Sequence, residues 1–160
     1  EIAEMDMDLQ TKLLRFVQTG VFQKVGGSKE EKASVGVIAT PLDSYLAVKD
    51  ALVSTNGIEA QKAAKAFLKV NNNVSLSKWI DAIAASSDAA TQRIAFEMLS
   101  EEMYKIVKAE GTDTPLYKQY CPMAFNNKGA YWLATEKEVN NPYFGDVMLH
   151  CGSVQETINQ

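Results

Sequence analysis

The sequence predicts an all-α protein, an antiparallel helical bundle followed by an irregular, aromatic-rich C-terminal segment. Three observations predict it. Between residues 40 and 110 apolar side chains recur at helical spacing, and capping residues precede the runs. Strands do not alternate with helices, and no nucleotide-binding loop is present. Beyond Pro115 the periodicity stops, and half of the aromatic residues fall between Tyr117 and Phe144. The expected organisation is a single domain over 1–160. It has an N-terminal helix and loop over 1–39, the bundle over 40–110, and a Cys/Met/aromatic segment over 111–160.

From about Asp8 to Phe22, Leu9, Leu13, Phe16 and Val17 stand at helical spacing, interrupted by Gly20. Gly26-Gly27-Ser28 and the charged run Lys29 to Lys32 read as a solvated loop, and Ser34 to Ala39 is ambiguous. Thr40-Pro41-Leu42-Asp43 is a strong helix start: a threonine cap, a proline at the first helical position and an acid in the first turn. That helix turns Leu42, Tyr45, Leu46, Leu52 and Val53 to a core and ends near Ser54. Asn56 with Glu59 restarts the chain as an alanine-rich helix to Val70, stopped by Asn71-Asn72-Asn73. Ser75 or Ser77 opens a third helix with Trp79, Ile80 and Ile83. Ser86-Ser87-Asp88 then caps the longest one, with Ile94, Met98, Leu99, Met103, Ile106 and Val107 inward and Gly111 past its end. In the last segment Asn126-Asn127-Lys128-Gly129 should turn, Thr135 to Glu138 can form one helical turn, and Asn141 before Pro142 should be extended. Trp132 and Tyr131 are expected to be buried between this segment and the bundle.

A chain of 160 residues with a formal charge of −4 carries no basic stripe, which argues against a nucleic-acid partner. No run approaches the ~18 apolar residues of a membrane span. Scattered carboxylates such as Glu97, Glu101 and Glu102 read as a solvated helix face. The adjacent His150 and Cys151 lack any orienting motif for nucleophilic catalysis, so no enzyme is expected.

Both cysteines, the single histidine and two of the six methionines lie between Tyr120 and Gly152. Met123 follows Cys121 by two residues, and Cys151 follows Met148 by three. Thiolates and thioethers are soft donors that select Cu(I) and related ions. The competing structure for the two cysteines is a disulfide, worth roughly 3–4 kcal/mol for a loop of about 30 residues in the chain-entropy account. Both readings require Cys121 and Cys151 to lie together. For the methionines the competing role is packing: Met98 and Met103 sit on an apolar helix face, and Met123 and Met148 can pack against Trp132 and the tyrosines. A helical turn from Gly145 would put Met148 and Cys151 on one face; an extended segment would instead pair Met148 with His150.

Tyr120-Cys121-Pro122-Met123, Asn127-Lys128-Gly129-Ala130-Tyr131-Trp132-Leu133, Asn141-Pro142-Tyr143-Phe144-Gly145 and Met148 through Gly152 resemble a bacterial domain-of-unknown-function family. That family occurs as the C-terminal domain of copper and silver efflux adaptors, the periplasmic membrane-fusion proteins, and as stand-alone exported proteins. Leu42 to Leu46 and Lys49 to Val53 look like its first core helix, and residues 1–39 lie outside the likeness. The resemblance implies export, with a targeting segment (signal peptide) not present in this chain. It also implies proximity to heavy-metal handling, with efflux-pump components or another envelope protein as partners. Carried over residue by residue, the metal candidates are Cys121, Met123, Met148 and Cys151; His150 does not belong to the likeness. The leading expectation is binding of Cu(I) or Ag(I) as an accessory to efflux or resistance. The alternative is a disulfide-stapled interaction module of the envelope without metal.

Overall fold

The computed structural model describes residues 40–112 and 114–159, and before them two strands, Val21–Gln23 and Glu30–Lys32. The chain divides into two compact units, Glu1–Ile38 and Ala39–Gln160. In the first, β1 (Val21–Gln23) pairs antiparallel with β2 (Glu30–Lys32), Val21 opposite Lys32 and Gln23 opposite Glu30. The helix expected from about Asp8 to Phe22 lies outside the described residues except for its last two positions, which begin β1. Part of the expected charged loop, Glu30–Lys32, is strand instead. Gly26-Gly27-Ser28 and Ser34 to Ala39 lie outside the described residues.

The second unit opens with four helices: α1 (Pro41–Val53), α2 (Gly57–Val70), α3 (Val74–Ala84) and α4 (Ala89–Glu110). Their starts follow the caps in the sequence. Thr40 accepts from the Asp43 amide while the Asp43 carboxylate accepts from the Thr40 amide, a reciprocal pair that satisfies two orphan donors. Asn56 accepts from the Glu59 amide at 3.0 Å and Asp88 from the Thr91 amide at 2.8 Å. Asn73, rather than Ser75 or Ser77, caps α3, its side chain accepting from the Ser75 amide at 3.0 Å. Connections this short make consecutive helices antiparallel neighbours. The buried face of α4 is Ala89, Gln92, Phe96, Leu99, Met103 and Val107. Ile94, expected inside, is 61% exposed, and Met98 is only half-buried. The stripe is rotated towards Phe96, which stacks on Tyr45 with ring centroids 5.2 Å apart.

The chain beyond Pro115 overturns the all-α expectation. It forms a three-stranded antiparallel sheet of β3 (Leu116–Cys121), β4 (Ala130–Ala134) and β5 (Ser153–Ile158), in the order β4-β3-β5. The unit is mixed α and β. Aromatic and β-branched residues favour a pleated, half-buried surface, and here they build one. Gln119 faces Trp132 and Cys121 faces Ala130 across β3 and β4, while Tyr120 faces Tyr131 and Lys118 faces Leu133. On the β5 side the register shifts between Lys118 and Gln119: Lys118 faces Glu156 and Gln119 faces Val154, so Gln155 is an extra residue.

The two faces of the sheet meet different partners. On the face of Lys118 lies the Tyr104 ring of α4, 3.7 Å from the Lys118 ammonium, and Tyr104 donates to Glu156 at 2.7 Å. Tyr131 shares this face and is 41% exposed, which corrects the expectation that it is buried with Trp132. Successive residues of a strand point oppositely, so Tyr131 and Trp132 lie on different faces of the sheet. Trp132, 1% exposed, enters the core. Over its face runs the segment 135–152, because Gln119 donates to the carbonyls of Glu136 and Glu138 at 2.8 and 3.1 Å. Residues 135–138 are bends rather than the expected helical turn. At the outer edge of β4 the Tyr45 hydroxyl accepts from the Leu133 amide at 3.0 Å and meets Ser100 Oγ at 2.8 Å. Burial pushes the Tyr45 phenol well above the ordinary tyrosine range, although both hydrogen bonds act the other way.

Lys49, 2% exposed, ties α1 to the bends through its ion pair with Glu136 and also meets Asp50 at 2.8 Å. Burial raises the Glu136 pKa, but the hydrogen bond and charge of Lys49 outweigh it and the net shift is downward from 4.5. A depressed carboxyl stabilises the fold above its unfolded pKa, and that contribution is lost as pH falls through the folded value. Thermal unfolding of the wild type should therefore lose midpoint below pH 4.5 more steeply than that of Lys49→Met. Parallel acid slopes would remove this pair from the acid response.

Candidate functional site

The site is built at the end of the central strand. Cys121 closes β3 on the Trp132 face and is fully buried. The chain then turns through Ala124–Asn127, where Phe125, Asn126 and Asn127 all take left-handed backbone angles. The expected turn at Asn126 to Gly129 therefore lies in the β3–β4 connection, and the Lys128 ammonium anchors it to Glu97 of α4 at 2.7 Å.

Cys151 arrives from the opposite direction, on the stretch leading into β5. Ser153 pairs with Tyr120, which leaves Gly152 against the end of β3. Gly152 has φ +144, and a Cβ there would stand 2.7 Å from the Tyr120 carbonyl oxygen and 3.1 Å from the Trp132 ring. Only a glycine admits so close an approach in that conformation. The Sγ atoms of Cys121 and Cys151 then lie 3.4 Å apart although 30 positions separate them in sequence. Both are free thiols, Cys121 buried and Cys151 partly exposed. The thiol pair shares a hydrogen bond, which, with some burial, pushes the Cys151 pKa above its ordinary value.

Asn141, unmarked by the sequence except as the residue before a proline, organises the approach. It is fully buried, and its side chain donates to the Cys151 carbonyl at 2.8 Å. The same side chain accepts from the Tyr143 amide at 2.8 Å and the Phe144 amide at 3.3 Å. Its backbone amide donates to Leu149 at 2.7 Å and its carbonyl accepts from Gly145 at 2.9 Å. The signal available was the Asn-Pro-aromatic-aromatic-Gly order: a short amide side chain can close turns on its own backbone.

Two anchors hold this loop. Arg93 of α4 donates to the Pro142 carbonyl at 2.7 Å, to the Leu52 carbonyl at 3.1 Å and to Thr55 Oγ1 at 3.0 Å. Gly145, at φ +56, fits against that knot, since a Cβ there would be 2.1 Å from Thr55 Oγ1. Tyr143 is the second anchor. Its hydroxyl donates to the Tyr131 carbonyl, and its ring lies 5.9 Å from those of Phe96 and Trp132 and 5.3 Å from that of Phe125.

The structure thus brings together two of the four metal candidates. Met123, beyond the end of β3, is 47% exposed. Met148 is half-buried and comes after a 3-10 turn, Gly145–Val147; a further turn, closed by the Cys151 amide donating to the Met148 carbonyl at 3.1 Å, leads to Cys151. His150 is exposed, with Nδ1 2.8 Å from the Val139 carbonyl. Among the described residues no group of three or more His, Cys, Asp or Glu side chains converges. The donor set is therefore two thiols with thioethers nearby in sequence, short of the four ligands of a structural zinc site.

Comparison with known proteins gives two matches that overlap at residues 42–52. Residues 42–114 match the family model described as "Protein of unknown function (DUF3347)", so that stretch carries a domain of unknown function. Residues 1–52 match the model described as "Sigma-54 interaction domain". The luminescence regulatory protein LuxO of Vibrio campbellii is 57% identical over 51 residues, 31% of this chain and 11% of that regulator. The transcriptional regulatory protein FlbD of Caulobacter vibrioides is 49% identical over 51 residues, with the same coverage. The HTH-type transcriptional regulatory protein TyrR of Haemophilus influenzae is 54% identical over 39 residues, 24% of this chain and 12% of that protein. The chain spans about a tenth of the length of these curated relatives. No solved structure matches. The regulator likeness was absent from the sequence expectations, which set residues 1–39 apart without a relative.

Proposed function

We propose that the Ala39–Gln160 unit binds a soft monovalent ion, Cu(I) or Ag(I), through Cys121 and Cys151, as an exported accessory to metal efflux or resistance. One observation carries the reading: two unbonded thiols held 3.4 Å apart, one on the buried end of a central strand and one on the rim. Paired thiolates are the donors such ions select, and the rim position of Cys151 gives an ion a way in. Met123 or Met148 would add a thioether. Efflux-pump components or another envelope protein would be the partners. None of the regulators' activity is carried over, since so little of their length is matched.

A second reading, a disulfide-stapled interaction module without metal, draws on the same proximity and on the complete burial of Cys121. The two separate in one titration. Protein reduced under anaerobic conditions should take up one equivalent of Cu(I) in competition with a chromogenic chelator. Cys121→Ser or Cys151→Ser should abolish uptake. Uptake that survives loss of both cysteines would move the site elsewhere, and none by reduced wild type would leave the stapled module.

A further inference from the structure

The two sulfurs are not equivalent, and the difference sets an order of reaction. Cys121 is closed to solvent, whereas Cys151 is partly exposed. The Cys121 sulfur lies 3.4 Å from that of Cys151. A group attached to Cys151 therefore has a second, buried thiol within reach of the sulfur that carries it. Exchange at a disulfide sulfur needs an attacking thiol that near, and the buried thiol supplies it.

We propose that the pair is a thiol–disulfide exchange site for low-molecular-weight disulfides, with Cys151 as the first-attacking thiol and Cys121 as the resolving thiol. In the first step the Cys151 thiolate attacks one sulfur of a small disulfide; a mixed disulfide forms on Cys151 and one small thiolate leaves and takes up a proton. In the second, Cys121 loses its proton and attacks Cys151 Sγ; the protein disulfide forms and the second small thiol departs. The protein gives up two hydrogens and two electrons, and one small disulfide becomes two small thiols. Because a disulfide has no thiolate to offer a metal, the reaction switches the site off. That regulatory consequence rests on the metal-binding reading; the exchange chemistry does not.

The test uses the full chain, reduced, freed of reductant and mixed with oxidised glutathione, with intact mass followed in time. Wild type should lose two hydrogens without accumulating an adduct. Cys121→Ser should accumulate one glutathione adduct, located at Cys151 by peptide mapping. Folded Cys151→Ser should acquire none over the same interval. A persistent wild-type adduct, or Cys121 in Cys151→Ser labelled as fast as Cys151 in Cys121→Ser, overturns the assignment. Should a variant fail to fold, brief alkylation of reduced wild type keeps it decidable. Cys151 should be modified at least tenfold faster than Cys121, and equal rates or the reverse order overturn it. Cu(I) uptake is measured on the same reduced sample, so a failure of metal binding is read separately from a failure of exchange.

Discussion

Trp132→Ala should lower the stability of the Ala39–Gln160 unit by about 3–5 kcal/mol, the cost of emptying a buried aromatic site. Trp132 is 1% exposed and meets Tyr143 edge-on, and Tyr143 in turn meets Phe96 of α4. Removing the indole takes away the packing shared by the sheet and the 135–152 segment, and it unseats Gly152, whose tight approach is shaped by that ring. Urea unfolding followed by far-ultraviolet circular dichroism measures the loss. An unchanged midpoint would mean the segment is not packed through this residue.

Asn141→Ala should cost about 2–5 kcal/mol. It strips the partner from the Cys151 carbonyl and from the Tyr143 amide, and an orphaned buried polar group costs about 1–3 kcal/mol. The distinctive effect is on the sulfurs. With its carbonyl released, Cys151 is no longer held over Cys121, so the folded variant should form the intramolecular disulfide at least tenfold more slowly than wild type. Asn141→Asp keeps the acceptor for Tyr143 but sets a carboxylate against the Cys151 carbonyl, and it should show the same slowing. If both variants close the disulfide at the wild-type rate, Asn141 supports the loop without positioning the thiol.

The helices were legible because their information is local. Thr40, Asn56 and Asp88 cap where the sequence puts caps, and α2 ends at Val70 before the three asparagines. The sheet was not, because its strands hide their alternation. β3 buries Leu116 on one face and Gln119 and Cys121 on the other, a spacing that matches no single-faced alternation, and one of the three is polar. β5 is exposed along most of its length and shows no apolar stripe. Tyrosine and tryptophan enrichment was the available strand signal, and it was assigned to packing alone. Of the site, the nearness of Cys121 and Cys151 was legible from the clustering of soft donors at the two ends of one aromatic loop. The role of Asn141 was not, since a buried amide is marked by what surrounds it in space. Nor was the outward position of Met123, which sits just before a turn of left-handed residues.

The two borders of the sheet bear on how the protein behaves when crowded with copies of itself. A bare strand border is a template on which further chains add and fibrils grow. Along β4 the Leu133 amide is already engaged by the Tyr45 hydroxyl, so an incoming strand finds a donor occupied and a ring in its path. Along β5 the extra residue Gln155 breaks the regular spacing of donors and acceptors that a neighbouring strand would have to match. A sheet of three strands closed off in this way should stay at three. Substitutions that straighten β5 or remove the Tyr45 hydroxyl carry an aggregation hazard separate from their effect on the folded state.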